Sequence, residues 1–120
     1  MGLTHVTVTV KPLGGAAGSY QADFLVDTGA TDTLLPSSAL KAAGIAPAGK
    51  TAYELADGSV VEYPFGLAQI EFMGEVTAGR VIFGPETADP LLGVTALESV
   101  GILVDPTHKT LKRLPAIPLK

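Results

Sequence analysis

Asp27 follows three apolar residues, Phe24-Leu25-Val26, and precedes Thr28-Gly29-Ala30. A carboxylate where a strand runs into a tight turn sits at the edge of an apolar surface. Ionising it there costs free energy unless hydrogen bonds or a partner compensate. A carboxyl group so placed can exchange protons with a bound water or substrate. Asp and Gly also build Asx-type turns at strand ends that carry no chemistry. The surrounding elements must decide between the two.

Other chemistry-bearing residues fall away. His5 and His108 are the only histidines, and neither has a second ligand at a metal spacing. The chain has no cysteine, which removes disulfide frameworks, thiolate zinc sites and cysteine nucleophiles. Gly14-Gly15-Ala16-Ala17-Gly18 lacks the Lys-Ser/Thr of a phosphate-binding loop and precedes no helical pattern. Ser19, Ser37 and Ser38 stand outside any Gly-x-Ser-x-Gly context. Asp105-Pro106 reads as a turn.

The elements that must position Asp27 read as strands. With 14 glycines and nine prolines in 120 residues, no long helix fits. His5 to Val10 alternates valines with threonines, and Ser19 to Val26 places Tyr20, Ala22, Phe24 and Val26 on one face. Thr33 to Leu35 is a short strand closed by Pro36. Ser37 or Ser38 is expected to cap a brief helix that Gly44 stops. Thr51 to Leu55 and Val60 to Tyr63 form a hairpin through Ala56-Asp57-Gly58-Ser59. Strands then run from Gly66 to Phe72 and from Val76 to Phe83. Leu91 to Val100 has room for a three-turn helix. Ile102 to Val104 and Thr110 to Leu114 form a last hairpin. The expectation is one all-β domain over residues 1–120.

Composition bounds the function. Apolar residues make 47% and charged residues 17%, with mean hydropathy +0.38, which excludes a disordered tail. Lys and Arg total 8 against 12 Asp and Glu, with no basic cluster, so no nucleic-acid partner is expected. No run reaches the roughly 18 apolar residues of a membrane span, so no membrane partner is expected either. Met1 to Val6 has no leader pattern, which sets a cytoplasmic expectation.

Leu25-Val26-Asp27-Thr28-Gly29-Ala30 resembles the active-site turn of the retropepsin-like aspartic proteases, two apolar residues before Asp-Thr/Ser-Gly-Ala. Three further features fit the family. Thr31-Asp32-Thr33-Leu34-Leu35 continues the turn into a short apolar strand. Tyr53 to Tyr63 occupies the place of the family's flap hairpin. Leu91-Leu92-Gly93 matches the apolar pair and glycine that open its late helix. By order of elements the resemblance spans positions 4 to 114. It implies an acid-protease β-barrel with a flap hairpin and one short helix near the C-terminus, and no cofactor.

The resemblance also assigns roles. Peptide hydrolysis by this route uses two carboxylates around one water: one ionised, to take a proton, and one protonated, to polarise the scissile carbonyl. The chain holds one Asp-Thr-Gly, so an active enzyme needs a two-fold homodimer. Asp27 is then the catalytic acid, Thr28 bonds across the two-fold, and Gly29 permits close backbone approach. Ala56, Asp57 and Gly58 form the flap tip, and Asp32 contributes to substrate binding. Leu91, Leu92 and Gly93 support the turn from below. Ala30 offers no hydroxyl to the carboxylate, so activity is expected to reach toward mildly acidic or near-neutral pH. The partners expected are a second copy and a peptide or protein substrate.

The chain departs from viral members in places. Thr31 and Val94 stand where these carry a paired Asp and Arg, which points to a cellular or bacterial branch. Pro115 and Pro118 suit an interleaved terminal sheet poorly. Gly58 is the lone glycine of the flap tip. The rival reading is a catalytically inactive dimeric module on the same fold that binds peptides or proteins by strand addition. A β-barrel fragment of a larger assembly, in which Asp-Thr-Gly is a turn and nothing more, also fits the residues.

Overall fold

The structure, a computed structural model, describes residues 4–15 and 17–119. Met1 to Leu3 of the leader reading, Ala16 of the glycine-rich loop and Lys120 lie outside the described residues.

Among the described residues, nine strands and two short helices follow one another: β1 His5–Pro12, β2 Tyr20–Asp27, β3 Thr33–Pro36, α1 Ser37–Ala42, β4 Gly49–Glu54, β5 Val60–Phe72, β6 Glu75–Gly84, β7 Leu91–Gly93, α2 Val94–Ser99, β8 Ile102–Asp105 and β9 Thr110–Arg113. A 3-10 turn, Leu13–Gly15, follows β1. Seven strands form one sheet in the order β1-β2-β7-β3-β6-β5-β4, and a second β1–β5 pairing closes six of them into a barrel. Closure removes the free edges of those six strands. β4 stays outside the ring as an edge strand, and β8 and β9 pair separately. The all-β barrel expected from the sequence is present. No helix among the described residues is long and apolar enough to cross a membrane.

Alternation sets which face each strand buries. Val8 and Val10 of β1 and Phe24 of β2 are fully buried, while Thr7 and Asp23 stay outside and bond each other. These side chains join Leu35, Leu92 and Leu97 in a continuous core. The alternation lapses at Leu25, Val26 and Asp27, which are all half-buried. There β2 is flanked by β1 and, in parallel, by β7.

Three expectations change. Val60 to Phe72 is one strand rather than two, although Pro64 and Gly66 suggested a break. Gly66 marks a close approach: a Cβ there would lie 2.8 Å from Ile45 Cγ2 and 2.9 Å from the Ala46 carbonyl. Leu91 to Gly93 is a strand, so the helix expected from Leu91 begins at Val94. Neither Ser37 nor Ser38 caps α1, since the residue at its N-cap is Pro36. Glu86, 48 residues away, caps it instead. Its Oε2 accepts the Ser38 amide at 2.9 Å, and the Ser38 hydroxyl donates to Oε1.

Two stability measurements check this packing. Leu92 is fully buried, so Leu92→Ala should cost about 2–5 kcal/mol in chemical denaturation. The Ser38 hydroxyl, and then its amide, hold the Glu86 carboxyl below the usual range. A folded-state pKa below the unfolded one stabilises above the ordinary Glu value and is lost as pH falls through the folded value. The melting-temperature advantage of the native chain over Glu86→Gln should therefore be present at pH 6 and vanish by about pH 3.

Candidate active site

Asp27 ends β2 half-buried, and its turn is tight: the Asp27 carbonyl accepts the Ala30 amide at 3.1 Å. Its carboxylate Oδ1 accepts the Gly29 amide at 2.9 Å. A Cβ on Gly29 would stand 3.2 Å from that oxygen. Thr28 and Gly29 are exposed. Among the described residues no group bonds Asp27 Oδ2 or the Thr28 hydroxyl.

The turn is gripped from the far side of the chain. Leu91, Leu92 and Gly93 run parallel to Leu25, Val26 and Asp27 in one-to-one register, and Leu91 also faces Leu34 of β3. The Val94 amide donates to the Ala30 carbonyl at 2.8 Å and the Thr95 amide to the Thr31 carbonyl at 3.1 Å. Buried Thr33 accepts the Gly93 amide on its hydroxyl at 3.2 Å. A Cβ on Gly93 would fall 2.5 Å from the Asp32 carbonyl carbon and 2.7 Å from the Thr31 and Asp32 oxygens. No side-chain rotation relieves a clash with backbone, so only glycine lets β7 sit this close.

Asp32 lies between the turn and β3, half-buried, and its Oδ2 accepts the Tyr53 hydroxyl of β4 at 2.7 Å. Burial, then the hydrogen bond to Asp32 and its charge, raise the Tyr53 pKa above the ordinary phenol value, while Arg80 opposes the rise. The Arg80 guanidinium donates to Thr51 Oγ1 at 2.7 Å and lies 4.1 Å over the Phe65 ring. Tyr53, Arg80 and Thr33 did not stand out in the sequence. The available signal was the alternation of β4, which turns Thr51 and Tyr53 to the half-buried face.

Ala56, Asp57 and Gly58 are exposed at the tip of the β4–β5 hairpin, where the Leu55 amide donates to Ser59 and the Gly58 amide to Leu55. Asp57 Oδ1 accepts the Ser59 hydroxyl at 2.6 Å and the Ser59 amide at 2.9 Å, and these bonds hold its carboxyl below the usual range. Exposed Leu55 and Val60 flank the tip. An open groove of about 560 Å³ runs along His5, Asp23, Leu25, Asp89 and Pro90, and a cavity of about 20 Å³ lies behind Asp32 and Arg80. Neither is lined by Asp27, whose turn faces outward. His108 bonds Asp105 at 2.8 Å through Nδ1. Among the described residues no three His, Asp or Glu side chains gather to hold a metal ion.

Residues 15–99 match the profile of the family described as "gag-polyprotein putative aspartyl protease". The chain belongs to that family. No curated protein matches it. Among solved structures, the EIAV protease in complex with the inhibitor HBY-793 is similar at TM-score 0.59 and 19% identity, over 83% of this chain and 89% of that one. The retroviral protease-like domain of Ddi1 from Leishmania major is similar at TM-score 0.59 and 15% identity, over 97% and 91%. The simian foamy virus (mac) protease follows at TM-score 0.55 and 15% identity, over 78% and 91%. At these identities the likeness is one of fold. This family member thus has the retropepsin-like fold, and one viral and one cellular neighbour resemble it equally.

The grip of β7 on the turn can be tested directly. Gly93→Ala should cost on the order of 1–3 kcal/mol in urea denaturation. It should also speed amide exchange at Val94 and Thr95, the two donors to the turn.

Proposed function

We propose that the chain is an aspartic endopeptidase that works as a homodimer, with one Asp27 from each copy. The observation that carries this reading is the state of Asp27. One carboxylate oxygen is held by the Gly29 amide, on an exposed turn buttressed by β7 and α2.

In the dimer the two Asp27 carboxylates flank one water and share one proton, because like charges that close cannot both ionise. The ionised member takes a proton from the water. The water oxygen bonds to the scissile carbonyl carbon while the protonated member donates to the carbonyl oxygen. Collapse of the resulting diol breaks the C–N bond, and the amine leaves with a proton from the pair. Thr28, exposed beside the carboxylate, is suited to bond across the two-fold. Gly29 keeps the backbone open to the peptide. Leu91, Leu92 and Gly93 support the turn. Ala56, Asp57 and Gly58 close over an extended peptide and exclude water. Exposed Leu55 and Val60 beside the tip favour apolar residues around the scissile bond.

Cleavage of a diverse peptide library from pH 3.5 to 7.5 tests the reading. The native chain should cleave, with activity extending above pH 5, and Asp27→Asn should lose at least about 1,000-fold. A profile confined below about pH 4 would contradict the role given to Ala30. Specific activity should fall on dilution as the dimer dissociates, and a chain that stays monomeric at every concentration sinks the proposal. A folded dimer that binds peptides without cutting them favours the binding module.

A further inference from the structure

We propose that Tyr53 is a positioning residue: its hydroxyl, donated to Asp32, latches the first arm of the β4–β5 hairpin onto the loop that follows the Asp27 turn. The latch deepens the peptidase reading, on which its kinetic consequence rests. It names a residue through which hairpin and turn are coupled inside one subunit.

Topology gives such a contact its importance. β4 lies outside the closed ring and pairs along its length with β5 alone. An edge arm joined to one neighbour is free to swing with it. Among the described residues, two side-chain hydrogen bonds tie β4 to anything else: Tyr53 to Asp32, and Arg80 to Thr51. The second ties β4 to β6, which already belongs to the same run of strands. Only the first reaches the active-site loop.

The residue types suit a latch. Thr51 and Tyr53 occupy the half-buried face of β4, and Tyr53 is the last such position before exposed Glu54 and the tip. A phenol is rigid and long enough to carry a donor from a strand to a neighbouring loop. An ionised carboxylate makes the bond charge-assisted, and 2.7 Å is a length expected for it. Asp32 is in turn fixed from behind, since the Gly93 and Thr95 amides hold its neighbours Thr33 and Thr31. The hairpin therefore docks on a segment whose place is already set. One Asp32 oxygen, Oδ2, is committed to Tyr53 and so joins the hairpin to the loop.

The test uses the full chain and Tyr53→Phe, Asp32→Ala, Asp32→Asn and the Tyr53→Phe/Asp32→Ala pair. Phenylalanine keeps the ring and removes the donor; asparagine keeps an acceptor. Amide exchange, read without substrate, should rise on the order of tenfold across residues 50–55 and 60–63 in Tyr53→Phe and in Asp32→Ala. The pair should exchange no faster than either single variant, and Asp32→Asn should stay near the native rate. The barrel amides of β1 and β2 should not change. With substrate, Tyr53→Phe should raise KM roughly tenfold and move kcat less than about twofold.

Unchanged hairpin exchange in Tyr53→Phe, additive effects in the pair, or a rise spread evenly over the barrel would each overturn the latch. Faster hairpin exchange with KM unmoved would overturn the positioning role. If no form of the chain cleaves, the peptidase reading falls, and the exchange results alone decide whether Tyr53 holds the hairpin.

Discussion

The proposed peptidase chemistry needs a carboxylate that meets water and a peptide, and such a group cannot be immobilised by burying it. Its position has to be inherited from backbone that is itself immobile. In this chain that backbone is held by the contact of Gly93 with Thr31 and Asp32, where a single added carbon would collide with main-chain atoms. The contact permits a three-residue strand to lie between β2 and β3. It also lets the first amides of α2 reach the carbonyls of Ala30 and Thr31. Leu92 behind it is part of the core, so the outward-facing turn is continuous with the most buried layer of the barrel. Polar and apolar terms act together here: the amides fix direction, and the burial of Leu92 fixes depth.

The sequence made the strands visible where their pattern is local. Alternating valines and threonines in β1, the Asp57-Gly58 turn and the Asp-Thr-Gly motif can each be read from neighbouring residues. What stayed hidden depends on partners far along the chain. Leu91-Leu92-Gly93 is too short to show a period, and the helical residues after it absorbed it into a longer helix. Pro64 and Gly66 look like strand breakers until the crossing of Ile45 and Ala46 explains the glycine. The serines that open α1 have the chemistry of caps, yet Glu86 from beyond β6 supplies the acceptor. Tyr53 and Asp32 are 21 positions apart, and no local rule pairs them. Of the site, then, the chemical group was legible, and the Leu91-Leu92-Gly93 segment and the hairpin were legible through the family resemblance, but the hydrogen bonds that join them to the turn were not.

The segment from Asp27 to Thr33 is where these dependencies meet. Its carbonyls at Ala30 and Thr31 and its hydroxyl at Thr33 face β7 and α2. Its carboxylate at Asp32 faces β4. Residues 28–32 are turn and bend rather than strand, so backbone and side chains of this one short stretch reach β7, α2 and β4 at once. A displacement that reaches Asp27 through Thr31 must then also move the anchor of Tyr53. The catalytic reading requires two such segments face to face, because each chain brings one carboxylate. In that arrangement each hairpin is registered to its own subunit's turn, and the two-fold registers the turns to each other. Loss of the dimer would remove the second carboxylate while leaving each hairpin docked on its own loop, so folding and local order can survive where catalysis cannot.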